Sequence, residues 1–272
     1  MNQTQLETEM ARASKVLDAQ HASKTTLYCG DFRDIIDKNF PIFDTCFVDP
    51  PDNLGLKYDN YNDNLSDIDY QNFLETLIDT CIVHAKTTYI SFYSKYCMLI
   101  GHLLWYRRKM VEIKWLIQGF TFGQHNNKDF GNNFRPIVRL RHFNAPLFPD
   151  KTRIESARMK RRDKRANKNG RVPGDVWFSD FLNYPRVVGN SKQRRIWSPT
   201  QLNEGVVEDC LLMSTPENGD VLDICSSTGT TIRVCKRNNF NSTSIEISEK
   251  YCNKIAEEFN FKKIDNTLWK CI

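Results

Sequence analysis

Nine cysteines occur in this chain without a single CxxC pair, and neither they nor the five histidines fall at the spacing of a structural zinc site. A disulfide scaffold and a zinc module are thereby excluded, and the thiols read as free and mostly buried in a reducing compartment. The chain opens on a polar, mixed-charge segment, so no signal peptide is expected. The longest apolar stretch, from Tyr89 to Trp105, is interrupted by Lys95 and His102, which argues against a membrane span. No GxxxxGK run is present, so a nucleoside triphosphate is not an expected ligand. A large excess of one charge is also missing. The formal net charge is +5 over 272 residues, and what carries information is where the basic residues gather.

They gather between Lys151 and Arg171. Lys151, Arg153, Arg158, Lys160, Arg161, Arg162, Lys164, Arg165, Lys168 and Arg171 stand there against Glu155 and Asp163, with few apolar residues between them. Cations at that density repel one another unless a polyanion lies opposite, so nucleic acid held through its phosphates is the expected partner. A solvated linker is the alternative reading of the same charges.

Around this stretch the chain alternates strand and helix signals. Residues 1–22 read as a helix or a loose arm. Thr25 to Cys29 predicts a strand closed by Gly30-Asp31, and Asp34 to Asp37 a short helix or turn. The run Phe43-Asp44-Thr45-Cys46-Phe47-Val48-Asp49-Pro50-Pro51-Asp52-Asn53 predicts a buried strand that stops, at its C-terminal edge, in a carboxylate and two prolines. Neither proline can continue as central strand. Asp49 therefore sits at the rim on a stiff mount, with the carbonyls of Asp49 and Pro50 available to a substrate. In open α/β sheets that rim is where ligands bind. A polar loop running to Asp69 is placed to act as a lid or a substrate contact. Apolar residues at helical spacing predict a helix over 70–84. A strand over 87–92, a helix over 97–109 and strands over 111–116 and 137–140 follow. Past the basic stretch come a helix over 202–213, a strand over 221–225, a helix over 231–237, a strand over 243–247 and a closing helix over 249–259.

The segment from Asp223 to Thr231, followed by Glu246, forms a second constellation: strand, small-residue loop, helix, then a strand with an acid at its end. Small residues let a cofactor approach the backbone, and an acid at that distance can take the two hydroxyls of a ribose.

In order and spacing these stretches resemble the amino-methyltransferases that modify the exocyclic nitrogen of adenine or cytosine in DNA. The arrangement is the permuted, beta-type one, in which the catalytic Asp-Pro-Pro-aromatic motif comes first and the donor loop lies near the C-terminus. The family's donor loop, Asp-x-Phe-x-Gly-x-Gly-Thr-Thr, stands here as Asp223-Ile224-Cys225-Ser226-Ser227-Thr228-Gly229-Thr230-Thr231. Its Gly-Ile-Glu stands as Ser244-Ile245-Glu246, and its His-Pro-Thr-Gln-Lys-Pro segment as Trp197-Ser198-Pro199-Thr200-Gln201-Leu202-Asn203. Asn53-Leu54-Gly55 and Tyr58 match what commonly follows the catalytic motif. The resemblance covers the chain from about Leu27 to Ile255. Asp52 departs from it, standing where the family has an aromatic ring that stacks on the flipped base, a contact worth roughly 1–3 kcal/mol. Cys225 replaces the Phe beside the donor, and Ser227 the first Gly.

The resemblance implies an α/β, Rossmann-like S-adenosylmethionine-dependent methyltransferase fold: a mostly parallel sheet with one antiparallel strand, in permuted motif order. It implies an N-terminal arm or helix (1–24), a catalytic half (25–118), a target-recognition and basic insert (119–195) and a cofactor-binding half (196–272). The catalytic residues it implies are Asp49, Pro50, Pro51 and Asp52. Asp31, Asp223, Cys225, Ser227, Gly229, Thr230 and Glu246 would hold S-adenosylmethionine. Tyr58 would help stack the base, and the cations of 151–171 would hold the DNA. The substrate is then DNA, a duplex with its target base flipped. The preferred target is N6 of adenine, because Asp opens the motif, and N4 of cytosine stands as an alternative. A homodimer, no membrane and no metal are further implications. The setting would be cytoplasmic or DNA-associated, or nuclear in a eukaryotic host. RNA base methylation and a non-catalytic nucleic-acid-binding protein on a decayed methyltransferase fold stand as alternatives. A hydride-transfer enzyme has no use for Asp-Pro-Pro beside a basic insert.

Overall fold

A computed structural model describes residues 23–121, 126–179, 182–265 and 267–271; the arm expected over 1–24 lies almost wholly outside them. In chain order the elements are β1 (Thr25–Cys29), α1 (Phe32–Ile35), β2 (Phe43–Val48), α2 (Asp67–His84), β3 (Ala85–Ser91), α3 (Cys97–Trp105), β4 (Glu112–Gly119) and β5 (Phe134–Arg141). There follow α4 (Ala157–Lys160), β6 (Val176–Ser179), β7 (Leu182–Asn183), α5 (Glu204–Ser214), β8 (Asp220–Asp223), α6 (Thr230–Arg237), β9 (Asn241–Glu246), α7 (Glu249–Phe259), β10 (Phe261–Lys263) and β11 (Leu268–Cys271).

All the strands join one sheet in the order β10-β11-β1-β9-β8-β2-β3-β5-β4-β6-β7. From β1 to β3 neighbours run parallel, and β5 runs antiparallel between β3 and β4. This is the expected single reversed strand of the central sheet. The edges add two more antiparallel strands, β11 against β1 and β7 against β6. β11 follows its neighbour β10, and β7 its neighbour β6, within a few residues, a separation that suits antiparallel partners. The stretch expected as an insert, 119–195, supplies β5 to the middle of this sheet.

Successive residues of a strand face opposite sides, and β2 shows this directly. Cys46 and Val48 enter a core with α2 and α3, while Phe47 enters a second core with α5. Helix α2 buries Tyr70, Phe73, Leu74, Leu77, Ile78, Cys81 and Ile82, three or four residues apart. Ser66 caps it by accepting from the Asp69 amide. A third core joins Leu27, Ile232, Ile255 and Trp269 under α7. At the centre, β8 leads to β9 on one side while β2 leads to β3 on the other. The crevice of such a doubly wound sheet opens outside the C-terminal ends of these two strands.

The basic stretch leaves the sheet at the opposite end. The Phe148 amide donates to the Met213 carbonyl, past which α5 ends, and Lys151 Nζ donates to the Thr215 carbonyl at 3.0 Å. Thr215 in turn donates to Thr45, near the start of β2. Ile154 and Arg171 exchange backbone bonds and close the excursion into a loop. Gly170 at φ +79 makes that closure, since a Cβ there would lie 2.3 Å from the Ile154 carbonyl oxygen.

Leu74 has no exposed surface at the centre of the α2 face. Leu74→Ala is expected to lower the unfolding free energy by about 2–5 kcal/mol in urea titration.

Candidate active site

Two clefts open at the crevice, and Asp49 lines both. The rim forms as the sequence predicts: β2 ends at Val48, the prolines turn the chain away, and the Tyr70 hydroxyl on α2 donates to the Pro51 carbonyl at 2.9 Å.

The first cleft brings together Asp31, Asp223, Cys225, Ser227, Thr230 and Glu246 from the cofactor set. The Cys225 amide donates to Asp223. Both Glu246 oxygens accept backbone amides, from Ser227 at 2.7 Å and Ser248 at 2.9 Å. Ser227 takes φ +46 to present that amide, a left-handed conformation that costs a non-glycine residue on the order of 1 kcal/mol. Gly229 does not line the cleft. It makes the turn into α6 at φ +72, with Ile255 and Phe259 of α7 packed where a Cβ would point. Burial raises the Glu246 carboxyl to about 7 against the lowering effect of the Ser248 and Ser227 amides. Burial likewise raises Asp223 to about 6, opposed by Thr231 and the Cys225 amide. Tyr58 lies on this cleft, its hydroxyl 3.1 Å from Thr200 Oγ1, and does not line the second one.

The second cleft is lined by Asp49, Pro50, Asp52, Tyr93, Phe120, Phe134 and Arg135, with Gln118 and Asn132. Asp52 is enclosed. It is 7% exposed and accepts the Tyr93 amide at 2.8 Å. Arg135 Nη1 donates to Asp52 Oδ2 at 2.7 Å, and Nη2 donates both to Asp52 Oδ1 at 3.1 Å and to Asp49 Oδ1 at 2.6 Å. A buried carboxylate needs such a partner. The sequence states that need at Asp52 but not that the partner sits on β5, 83 residues on. The buried oxygens Gln118 Oε1 and Asn132 Oδ1 have no hydrogen-bond partner. Arg186 and Arg194 also line this cleft, and among the described residues neither forms an ion pair.

The basic stretch does not reach this rim at its root. Lys151 is tied to Thr215, Arg153 to Asp150 and the Gly170 carbonyl, and Arg165 to Asp163. Arg158, Lys160, Arg161, Arg162, Lys164, Lys168 and Arg171 are exposed. No cluster of residues suited to a metal ion occurs among the described residues, and no helix there is long and apolar enough to cross a membrane.

Residues 43–258 match the family of DNA methylases of the N6/N4 type. The chain belongs to the N6/N4 DNA methylase family. The methylase is 28% identical to the Type II methyltransferase M.HpaI of Haemophilus parainfluenzae over 236 residues, 84% of this chain and 73% of that one. It is 26% identical to the Type II methyltransferase M.ScaI of Streptomyces caespitosus, over 90% of this chain and 85% of the relative. Among solved structures, the cytosine-N4-specific PvuII DNA methyltransferase superposes with TM-score 0.62 at 16% identity, covering 90% of this chain and 88% of its own. The M1.HpyAVI-SAM complex superposes at 0.60 with 17% identity, covering 87% and 99%.

The first cleft of the methylase fits S-adenosylmethionine. The Ser226 Oγ and the Tyr61 hydroxyl that line it are buried without a partner, and two acids face a ligand that carries a cation and a ribose. To accept from that ligand, both carboxyls would have to ionise. Calorimetry is therefore expected to show affinity falling as pH drops through about 7 and then about 6, and Glu246→Gln is expected to remove the upper step. Ligand-free stability has the opposite sign, because raised carboxyls favour the protonated fold. Their contribution is full below about pH 4 and is lost as pH rises through those same values.

Proposed function

We propose that this methylase transfers a methyl group from S-adenosylmethionine to N6 of adenine in DNA. The observation that carries the methyl-transfer reading is the place of Asp49: one carboxylate at the wall between a cleft suited to the donor and a second cleft edged by arginines. The adenine assignment rests on Asp as the opening residue of the motif.

The target amine is a poor nucleophile, since its lone pair is delocalised into the ring. Asp49 accepts one amino hydrogen and the Pro50 carbonyl the other. Both contacts favour a pyramidal nitrogen with its lone pair aimed across the wall. Acceptors fixed where positive charge develops lower the barrier without reorganising. When bound, the donor supplies an already activated methyl on a sulfonium, so the remaining work is alignment. No strong base is needed before attack, because the methylated nitrogen becomes acidic once cationic.

Arg186 and Arg194 give the DNA backbone a place at the second cleft, beside the base to be methylated. The cations of 158–171 offer sequence-independent contacts farther along the duplex. The double variant Arg186→Ala/Arg194→Ala is expected to weaken DNA binding and to flatten its salt dependence by about two phosphates' worth. A matched pair at Arg158 and Lys164 should change it less. Binding titrations across a salt series measure both.

With labelled donor and mixed DNA and RNA, digestion to nucleosides is expected to place the label on N6 of adenine from DNA, and Asp49→Ala to abolish it. Label on N4 of cytosine would replace the adenine assignment, and label only in RNA would replace the substrate. Absence of donor binding in calorimetry would favour the non-catalytic reading.

A further inference from the structure

The guanidinium of Arg135 touches the carboxylate on which the reaction turns, and its other contacts leave it no freedom. Nε donates to Ser91 Oγ at 2.7 Å, Nη1 and Nη2 clasp Asp52, and Nη2 also reaches Asp49 Oδ1. Asp52 is itself held by the Tyr93 amide. We propose that Arg135 is the positioning residue of Asp49, and that Asp52 serves to cancel the charge Arg135 brings with it. This rests on the methyl-transfer reading and assigns to that site two residues that touch neither methyl nor donor.

The argument is one of geometry and of charge. A planar fork fixed at three nitrogens cannot swing without breaking bonds to two strands' worth of structure. Asp49 is therefore held at one oxygen while 26% of its side chain stays exposed toward the clefts. Arg135 and Asp52 are more enclosed, at 17% and 10%, where charge-assisted bonds are least screened. Arginine and Asp49 alone would be a neutral pair and would offer a developing cation little beyond a dipole. With Asp52 the trio carries one net negative charge. Methyl transfer moves positive charge from sulfur to the amine nitrogen beside Asp49, so the site gains orientation without losing the field that stabilises that charge.

The groups facing Asp49 are Asp52 and Arg135 across the second cleft, and Tyr58, Asp223 and Cys225 across the first. Burial raises the Asp49 carboxyl, Arg135 opposes that rise, and Asp52 adds to it. Removing the two partners must then move its ionisation in opposite directions, which loss of mere packing would not do.

The test is single-turnover methylation of DNA between about pH 5.5 and 9 for the wild type, Arg135→Met, Arg135→Lys and Asp52→Asn. Donor affinity by calorimetry serves as the control for an intact first cleft. Arg135→Met is expected to lose roughly 10- to 100-fold in rate, with its acid limb moved to higher pH. Arg135→Lys should recover part of the rate, since it restores charge without the fork. Asp52→Asn should be slower than wild type at neutral pH, with its acid limb moved to lower pH. Donor affinity should stay within about twofold for each. Limbs that coincide, or that move the same way in Arg135→Met and Asp52→Asn, overturn the proposal, as does a wild-type rate in Arg135→Met. If Arg135→Met binds no donor, the directions in Arg135→Lys and Asp52→Asn decide. A wild-type protein that binds donor and methylates no nucleic acid would instead overturn the reading beneath it.

Discussion

A single guanidinium shared by two carboxylates is the interaction on which the rim of this sheet depends. Asp49 ends an apolar strand, with Val48 and Phe47 buried behind it, and a carboxylate left there alone would be driven to protonate. Arg135 opposes that rise and holds the carboxylate in place. Because Arg135 lies on β5, the reversed strand acquires a use beyond completing the sheet. It delivers a cation to the C-terminal ends of its parallel neighbours from the start of its own run, at a point where a parallel strand would deliver its last residues.

The rest of the site follows from the divergence of β8 and β2. Their C-terminal ends open a crevice, and both halves of the chain contribute to each of its two clefts. The small-residue loop after Asp223 and the acid at Glu246 furnish one side. The edge of β4 and β5 and the segment from Arg186 to Asn203 furnish the other. Asp49 and the stretch Thr200-Gln201-Leu202 belong to both, so the contents of one cleft are felt at the wall of the other.

Much of this was legible in the sequence where a local rule was strong. The Phe43 strand, its proline stop, the helix over 70–84 and the strand–loop–helix after Asp223 each carry their own periodicity or breakers, and they formed within a few residues of their expected limits. What was not legible depended on partners distant in sequence. β6, β7, β10 and β11 are short strands at the two ends of the sheet that pattern alone cannot announce, since their ladder bonds come from neighbours. Asp52 looked like a lost aromatic because its cation lies on another strand. The charge of Lys151 is visible in sequence, whereas its tie to the Thr215 carbonyl is visible only in the fold. Arg186 and Arg194, fewer and more dispersed than the basic stretch, carry no local pattern that marks them, yet they line the same cleft as Asp49.

The pairing of β2 with β8, Thr45 beside Val221 and Cys46 beside Leu222, has a consequence for biosynthesis. A ribosome making this chain releases the catalytic strand long before the strand that must lie against it. Through most of translation the nascent polypeptide carries β2 with one edge unpaired and its apolar faces partly uncovered, a state prone to misassembly and to capture by chaperones. The crevice between these two strands can therefore be complete only after the final third has emerged, beside a strand made more than half a chain earlier.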